Sequence, residues 1–206
     1  MSPKSLLRRF ISVFWWRRRL GSLGKRSVLF SPMLVVEPER IFIGAGTLIR
    51  DGARLEIVRP AGATWTPTMR IGKDVNIEQG VHIVCQSSVV IEDDVSIAPY
   101  CVIVDTYHPN DPPDTKPRIG ARLPDRPTSV VVGAGTFVGA HSVILSDVSI
   151  GRGCVIGAGS VVSRDLPDYC VATGAPARAI KIFDTNTRQW KRVEAGSSTR
   201  SLNSPS

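Results

Sequence analysis

The sequence predicts an all-β chain wound as a parallel β-helix of about five coils, and three observations carry that expectation. An aliphatic residue recurs at every sixth position, the side chain four places further on is mostly small or apolar, and glycine often follows the aliphatic residue. The recurrence runs through Val132, Val138, Ile144, Ile150, Ile156 and Val162 without a slip. It continues through Ile91, Ile97 and Ile103, through Ile71, Ile77 and Ile83, and through Ile43, Ile49 and Leu55, fifteen hexads in all. The site four places on lies two residues before the next aliphatic one, so both share a face of a short strand, where side chains alternate. Each hexad is then a strand plus a turn, and Gly44, Gly72, Gly133, Gly139, Gly151 and Gly157 mark corners where a Cβ is unwelcome. Helical amphipathicity lacks this period. Hexapeptide periodicity is the signature of a parallel β-helix, with three hexads to a coil.

The elements divide the chain into a leader at 1–36, a repeat domain at 37–183 and a tail at 184–206 that forms a short helix or is partly disordered. The leader holds 8 basic and no acidic residues, whereas 37–206 carries 18 of each sign. Within 5–20, five arginines accompany Leu6, Leu7, Phe10, Ile11, Val13, Phe14, Trp15 and Trp16. As a helix, Leu6, Leu7, Phe10, Ile11 and Phe14 share one face. That face suits either peripheral contact with an anionic membrane or a cap on the open end of the solenoid. The apolar run from Phe10 to Trp16 falls far short of the roughly 20 residues that cross a bilayer. Arg17, Arg18 and Arg19 follow it where a cleaved export signal places small residues. The confinement of excess charge to the leader argues against nucleic acid. Cys85, Cys101, Cys154 and Cys170 are scattered without a C-x-x-C pair, which points to a reducing, cytoplasmic location, with the leader allowing a peripheral place at the inner membrane face.

Three segments interrupt the repeat: 56–70, two extra residues between Cys85 and Val90, and the proline-rich, polar stretch from Val104 to Ser129. Long loops that leave a regular scaffold usually carry function. The run V-G-A-G-T-F-V-G-A-H-S-V-I-L-S-D-V-S-I-G-R-G-C-V-I-G-A-G-S-V-V-S-R-D-L-P, followed by G-A-P-A-R-A-I, resembles the hexapeptide-repeat acyltransferases. Within that superfamily it is most similar to galactoside, maltose and nodulation-type O-acetyltransferases. The resemblance covers roughly 40–183. It implies a left-handed winding, a homotrimer with active sites at subunit boundaries, and acetyl-coenzyme A as donor.

By the same resemblance His108, in D-T-Y-H-P at the start of the long loop, is the catalytic histidine. Imidazole suits the removal of a proton from an attacking hydroxyl near neutral pH. The backbone N–H at Ala140 is the oxyanion candidate. Ala140, Ala158, Ser163, Arg164, Arg178 and Lys181 match positions lining the coenzyme path, with Arg178 and Lys181 near the adenosine phosphates. Where related sugar acetyltransferases place Asn and Asp beside the acceptor, this chain has Glu78 and Gln86. Asp105 is a third acceptor-side candidate, which either holds the His108 ring or caps a turn. His82, His108 and His141 lack the close pair of a zinc site, so no metal is expected. The expected activity is O-acetylation of a sugar or cell-surface glycan precursor. The alternatives are an antibiotic, serine or sugar-amine acceptor on the same fold, and a non-catalytic assembly module.

Overall fold

The computed structural model describes residues 10, 13–112 and 114–193. Its strands succeed one another in threes. The first turn is β1 (Ser22–Leu23), β2 (Val28–Leu29) and β3 (Leu34–Val36), and the second is β4 (Ile41–Ile43), β5 (Leu48–Ile49) and β6 (Arg54–Ile57). The third is β7 (Thr68–Ile71), β8 (Asn76–Ile77) and β9 (His82–Cys85), and the fourth is β10 (Ser88–Ile91), β11 (Ser96–Ile97) and β12 (Val102–Val104). The fifth is β13 (Ser129–Val132), β14 (Phe137–Val138) and β15 (Val143–Ile144), and the sixth is β16 (Val148–Ile150), β17 (Val155–Ile156) and β18 (Val161–Val162). Strands one turn apart pair in parallel, giving a first sheet β1-β4-β7-β10-β13-β16, a second that begins β2-β5-β8-β11-β14-β17, and a third from β3 to β18.

Register follows the hexad residues. Ile43, Ile71, Ile91, Val132 and Ile150 stack in the first sheet, Ile49, Ile77, Ile97, Val138 and Ile156 in the second, and Leu55, Ile83, Ile103, Ile144 and Val162 in the third. All are buried, and each such side chain contributes about 1.5–3 kcal/mol on leaving water. Most of the small polar residues four places on are satisfied within the coil stack, whereas Ser87 Oγ is buried without a partner among the described residues. Thr47 Oγ1 donates to the Gly72 carbonyl at 2.7 Å, Thr136 Oγ1 to Gly151 at 2.9 Å and Ser142 Oγ to Gly157 at 3.1 Å. The corner glycines serve close packing rather than unusual torsion. A Cβ on Gly44 would lie 2.5 Å from the Gly72 carbonyl carbon, and one on Gly133 2.5 Å from that of Gly151.

Three boundaries differ from expectation. The stack has six turns instead of about five, because Leu23, Leu29 and Val35 form a further layer under Ile43, Ile49 and Leu55. The sequence hides it: a short 3-10 turn, Pro38–Arg40, breaks the step of six before Ile43. The repeat fold therefore starts inside the expected leader, at Ser22. At the other end β19 (Cys170–Gly174) continues the second sheet, and β20 (Ala177–Asp184) and β21 (Gln189–Arg192) add to it antiparallel, so a strand, β21, stands in the segment expected as a short helix or tail. Residues 194–206 lie outside the described residues.

Residues 13–19 are helical. Leu20 is buried and Trp16 packs on the core, while Phe14 and Trp15 remain 54% and 51% exposed. The expected face cannot be traced through Leu6, Leu7 and Ile11, which lie outside the described residues. Among the described residues no helix is long and apolar enough to cross a membrane.

Candidate active site

The long loop leaves the third sheet after β12 and returns at β13. Its base is built by Asp105 and Gln86. Asp105 is fully buried, and its carboxylate accepts the backbone N–H groups of Gln86, Ser87 (2.8 Å) and Ser88 (2.7 Å). Burial pushes its carboxyl above the ordinary carboxylate range, and the three donors oppose that shift. Asp105 thus caps the corner formed by the two extra residues between Cys85 and Val90, and of its two expected roles the structure gives the turn cap. Gln86 is equally buried. Its Nε2 donates to the carbonyls of Pro124 and Arg126, each at 3.3 Å, and its Oε1 accepts from Thr106 Oγ1 at 2.7 Å. Gln86 therefore ties the loop's entrance to its exit, buried with both ends of its amide engaged by the loop.

His108 stands exposed just beyond this base, with Nδ1 2.9 Å from the carbonyl oxygen of Arg122. A carbonyl only accepts, so Nδ1 carries the proton and the lone pair of the neutral ring lies on Nε2. Nε2 has no hydrogen-bond partner among the described residues, so the ring presents a base to solvent. Arg122 is buried, and its guanidinium donates to the carbonyls of Pro117 (2.8 Å), Asp111 (3.5 Å) and Thr115. At the loop exit Arg126 pairs with Asp147 at 2.6 Å. Sequence reasoning missed Arg122 and Arg126, because neither sits in the repeat nor in a motif.

Ala140 lies at the corner between second and third sheets, following Val138 of β14. The N–H groups of its neighbours are engaged, Gly139 with the Ile156 carbonyl and His141 with that of Pro99. The Ala140 N–H donates to no group among the described residues, as an oxyanion donor requires. Ala158 occupies the same corner one turn on, since Val138 pairs with Ile156. Above it Arg178 pairs with Thr173 and Lys181 with Val171. Residues three apart on a regular strand face opposite ways, but a register shift beside Ala172 places both cations on the face of Thr173 and Val171. Both are exposed.

Glu78 belongs to this corner too, two turns below, where its carboxylate pairs with Arg50 at 3.1 Å and accepts from Asn76 at 2.9 Å. Tyr100 and His141 stack there with centroids 5.4 Å apart. Ser163 and Arg164 instead follow β18 at the corner from which the His108 loop departs, two turns above it, because Ile103 pairs with Ile144 and Ile144 with Val162. The expected residues therefore form two columns along the edges of the third sheet: Glu78, Ala140, Ala158, Arg178 and Lys181 on one side, and His108, Ser163 and Arg164 on the other. Among the described residues no group of three or more His, Cys, Asp or Glu is arranged to hold a metal ion.

Comparison with known proteins adds an independent line. Residues 129–164 match the family described as bacterial transferase hexapeptide (six repeats). The chain is 32% identical over 131 residues to the putative lipopolysaccharide biosynthesis O-acetyl transferase WbbJ of Escherichia coli K12, across 58% of this chain and 63% of that protein. It is 33% identical over 131 residues to the galactoside O-acetyltransferase of the same organism, across 64% of this chain and 62% of that protein. It thus spans about three fifths of the length of these relatives. Its fold is similar to that of AntD, an N-acyltransferase from Bacillus cereus solved with dTDP and 3-hydroxybutyryl-CoA, with a TM-score of 0.66, 19% identity and 91% of both chains covered. The hexapeptide-repeat acetyltransferase VCA0836 of Vibrio cholerae, solved with acetyl-coenzyme A, gives a TM-score of 0.53 at 22% identity over 89% of this chain and 80% of that one. The repeat match and these likenesses imply the left-handed sense expected for the winding.

Proposed function

We propose, starting from the transferase hexapeptide repeat at 129–164, that this chain is an acetyl-coenzyme A-dependent O-acetyltransferase whose acceptor is a sugar or glycan-precursor hydroxyl. The observation that carries the reading is the His108 ring, whose bond to the Arg122 carbonyl leaves Nε2 bare on the longest loop of the scaffold. Nε2 takes the hydroxyl proton as the acceptor oxygen attacks the thioester carbonyl. The tetrahedral oxyanion so formed is stabilised by a backbone N–H, for which Ala140 is the candidate. Collapse breaks the carbon–sulfur bond, and the imidazolium returns its proton to the departing thiolate. The acetyl ester and free coenzyme A are the products.

Ala158, Ser163 and Arg164 line the pantetheine path in this reading, and Arg178 with Lys181 binds phosphate oxygens. The two columns flank opposite edges of one sheet, so we assign the completed site to the boundary between copies of a homotrimer, one copy supplying the His108 loop and its neighbour the Ala140 column. Sugar as acceptor class is supported by the likeness to the galactoside and lipopolysaccharide O-acetyltransferases. Glu78, two turns below Ala140 on the same corner and already paired with Arg50, stays as the acceptor-side carboxylate. The leader gives the enzyme a peripheral place on the cytoplasmic membrane face, with Trp16 and Leu20 seated on the solenoid and Phe14, Trp15 and three arginines turned outward. Acetyl transfer from acetyl-coenzyme A to a panel of sugars, sugar amines and serine tests the reading. Turnover with sugar hydroxyls supports it, and turnover confined to amines or serine overturns the acceptor class.

A further inference from the structure

The geometry points to Arg122 as a positioning residue for His108, one that fixes which ring nitrogen carries the proton. This rests on the reading of His108 as the base and adds a group that reading did not contain. A neutral histidine free in water keeps its proton mainly on Nε2, the wrong nitrogen for a base that must present Nε2 to the acceptor. Here the Arg122 carbonyl at 2.9 Å reverses the preference. The reversal lasts only while that carbonyl is held still, and it belongs to a proline-rich loop with two large aliphatic side chains, Ile119, which is exposed, and Leu123, which is only half-buried.

The guanidinium of Arg122 supplies the missing core. Its side chain is 7% exposed, and Nε, Nη1 and Nη2 reach the carbonyls of Pro117, Asp111 and Thr115, so the loop segment before it folds around its donors. The Asp111 carboxylate is 3.9 Å away and largely solvated, so the carbonyls do most of the holding. A planar fork with five donors can serve three carbonyls at once, and a lysine ammonium cannot match that arrangement. The base of the loop is fixed separately through Gln86 and Asp105. Arg122 therefore governs the upper part of the loop, where His108 sits, and not the coil stack below.

The test uses the full chain with Arg122→Ala and Arg122→Lys, and reads the His108 tautomer from long-range proton–nitrogen spectra, with His108→Ala to assign the ring among the three histidines. The wild type is expected to carry its proton on Nδ1, and both variants to shift toward Nε2. The same variants should lose about tenfold or more in kcat, with KM for acetyl-coenzyme A within about twofold, as a misaligned base does. Arg118→Ala, which removes an exposed charge from the same loop, should leave the tautomer as in wild type. An unchanged Nδ1–H signal in either folded Arg122 variant overturns the assignment, and so does an equal shift in Arg118→Ala. If Arg122→Ala does not fold, Arg122→Lys decides alone by the same criteria. If His108→Ala keeps full turnover, the general-base reading fails, while the spectra still report whether Arg122 sets the tautomer.

Discussion

The carboxylate of Asp105 receives the backbone N–H of Ser88 at 2.7 Å across the corner where the long loop leaves the coil. The same group also takes Gln86 and Ser87, so one buried side chain closes an otherwise unpaired turn. Asp105→Asn keeps one acceptor oxygen and turns an NH2 toward backbone donors. Each donor left unsatisfied costs about 1–3 kcal/mol, so the melting temperature should fall by several degrees in thermal denaturation. An unchanged melting temperature would remove the cap from this account.

Gly133 has no room for a methyl group, because its Cβ would lie 2.5 Å from the Gly151 carbonyl carbon and 2.6 Å from the Arg152 nitrogen. Both neighbours are backbone, so relief requires adjacent turns to separate. Gly133→Ala should therefore destabilise the fold by about 1–3 kcal/mol in chemical denaturation. Gly135→Ala is a useful contrast: no atom lies within 4 Å of its Cβ, and its cost comes from a φ of +68°. Equal stability of Gly133→Ala and wild type would mean that the coils do not pack as described.

Arg178 and Lys181 share a face only through the register shift beside Ala172. Replacing both with Ala should weaken acetyl-coenzyme A binding by roughly tenfold or more, since hydrogen bonds to charged groups are worth about 1.5–3 kcal/mol each. Calorimetry with a dephospho analogue lacking the 3′-phosphate should show a smaller loss. Equal losses for the two ligands would place these cations away from that phosphate.

In the proposed reading the leader divides membrane contact and packing on the solenoid along one short helix. Arg18 lies 3.8 Å over the Phe14 ring and Arg19 4.3 Å over Trp15, all four exposed, while Trp16 packs on the core. Changing Arg17, Arg18 and Arg19 to Gln should abolish co-sedimentation with anionic vesicles at low salt and leave the melting temperature in place. In the wild type that binding should fade as added salt shortens the Debye length. Trp16→Ala should instead lower the melting temperature. Salt-insensitive sedimentation of the triple variant would put the membrane contact elsewhere.

Much of the fold was legible because the step of six needs no tertiary information: Val132 through Val162 names the inward residues of two turns outright. The first turn was not, since Leu23, Leu29 and Val35 keep the step but Pro38–Arg40 breaks it before Ile43. The site was legible only in part. His108 and Ala140 are candidates that neighbouring residues in the chain single out, and their roles are those proposed for them. The roles of Gln86 and Asp105 depend on contacts with segments about 20 to 40 residues away, which no local pattern encodes. Arg122 is hidden for the same reason, as an arginine in a polar loop reads as a solvated charge until its three carbonyl partners are seen.

The most direct test of the central claim is the rate of coenzyme A release from acetyl-coenzyme A with a sugar acceptor, wild type against His108→Ala. Loss of a general base costs typically 10²- to 10⁴-fold, so the variant should fall by that range while calorimetry shows acetyl-coenzyme A bound as in wild type. Turnover within about twofold of wild type, with the coenzyme still bound, would contradict the account.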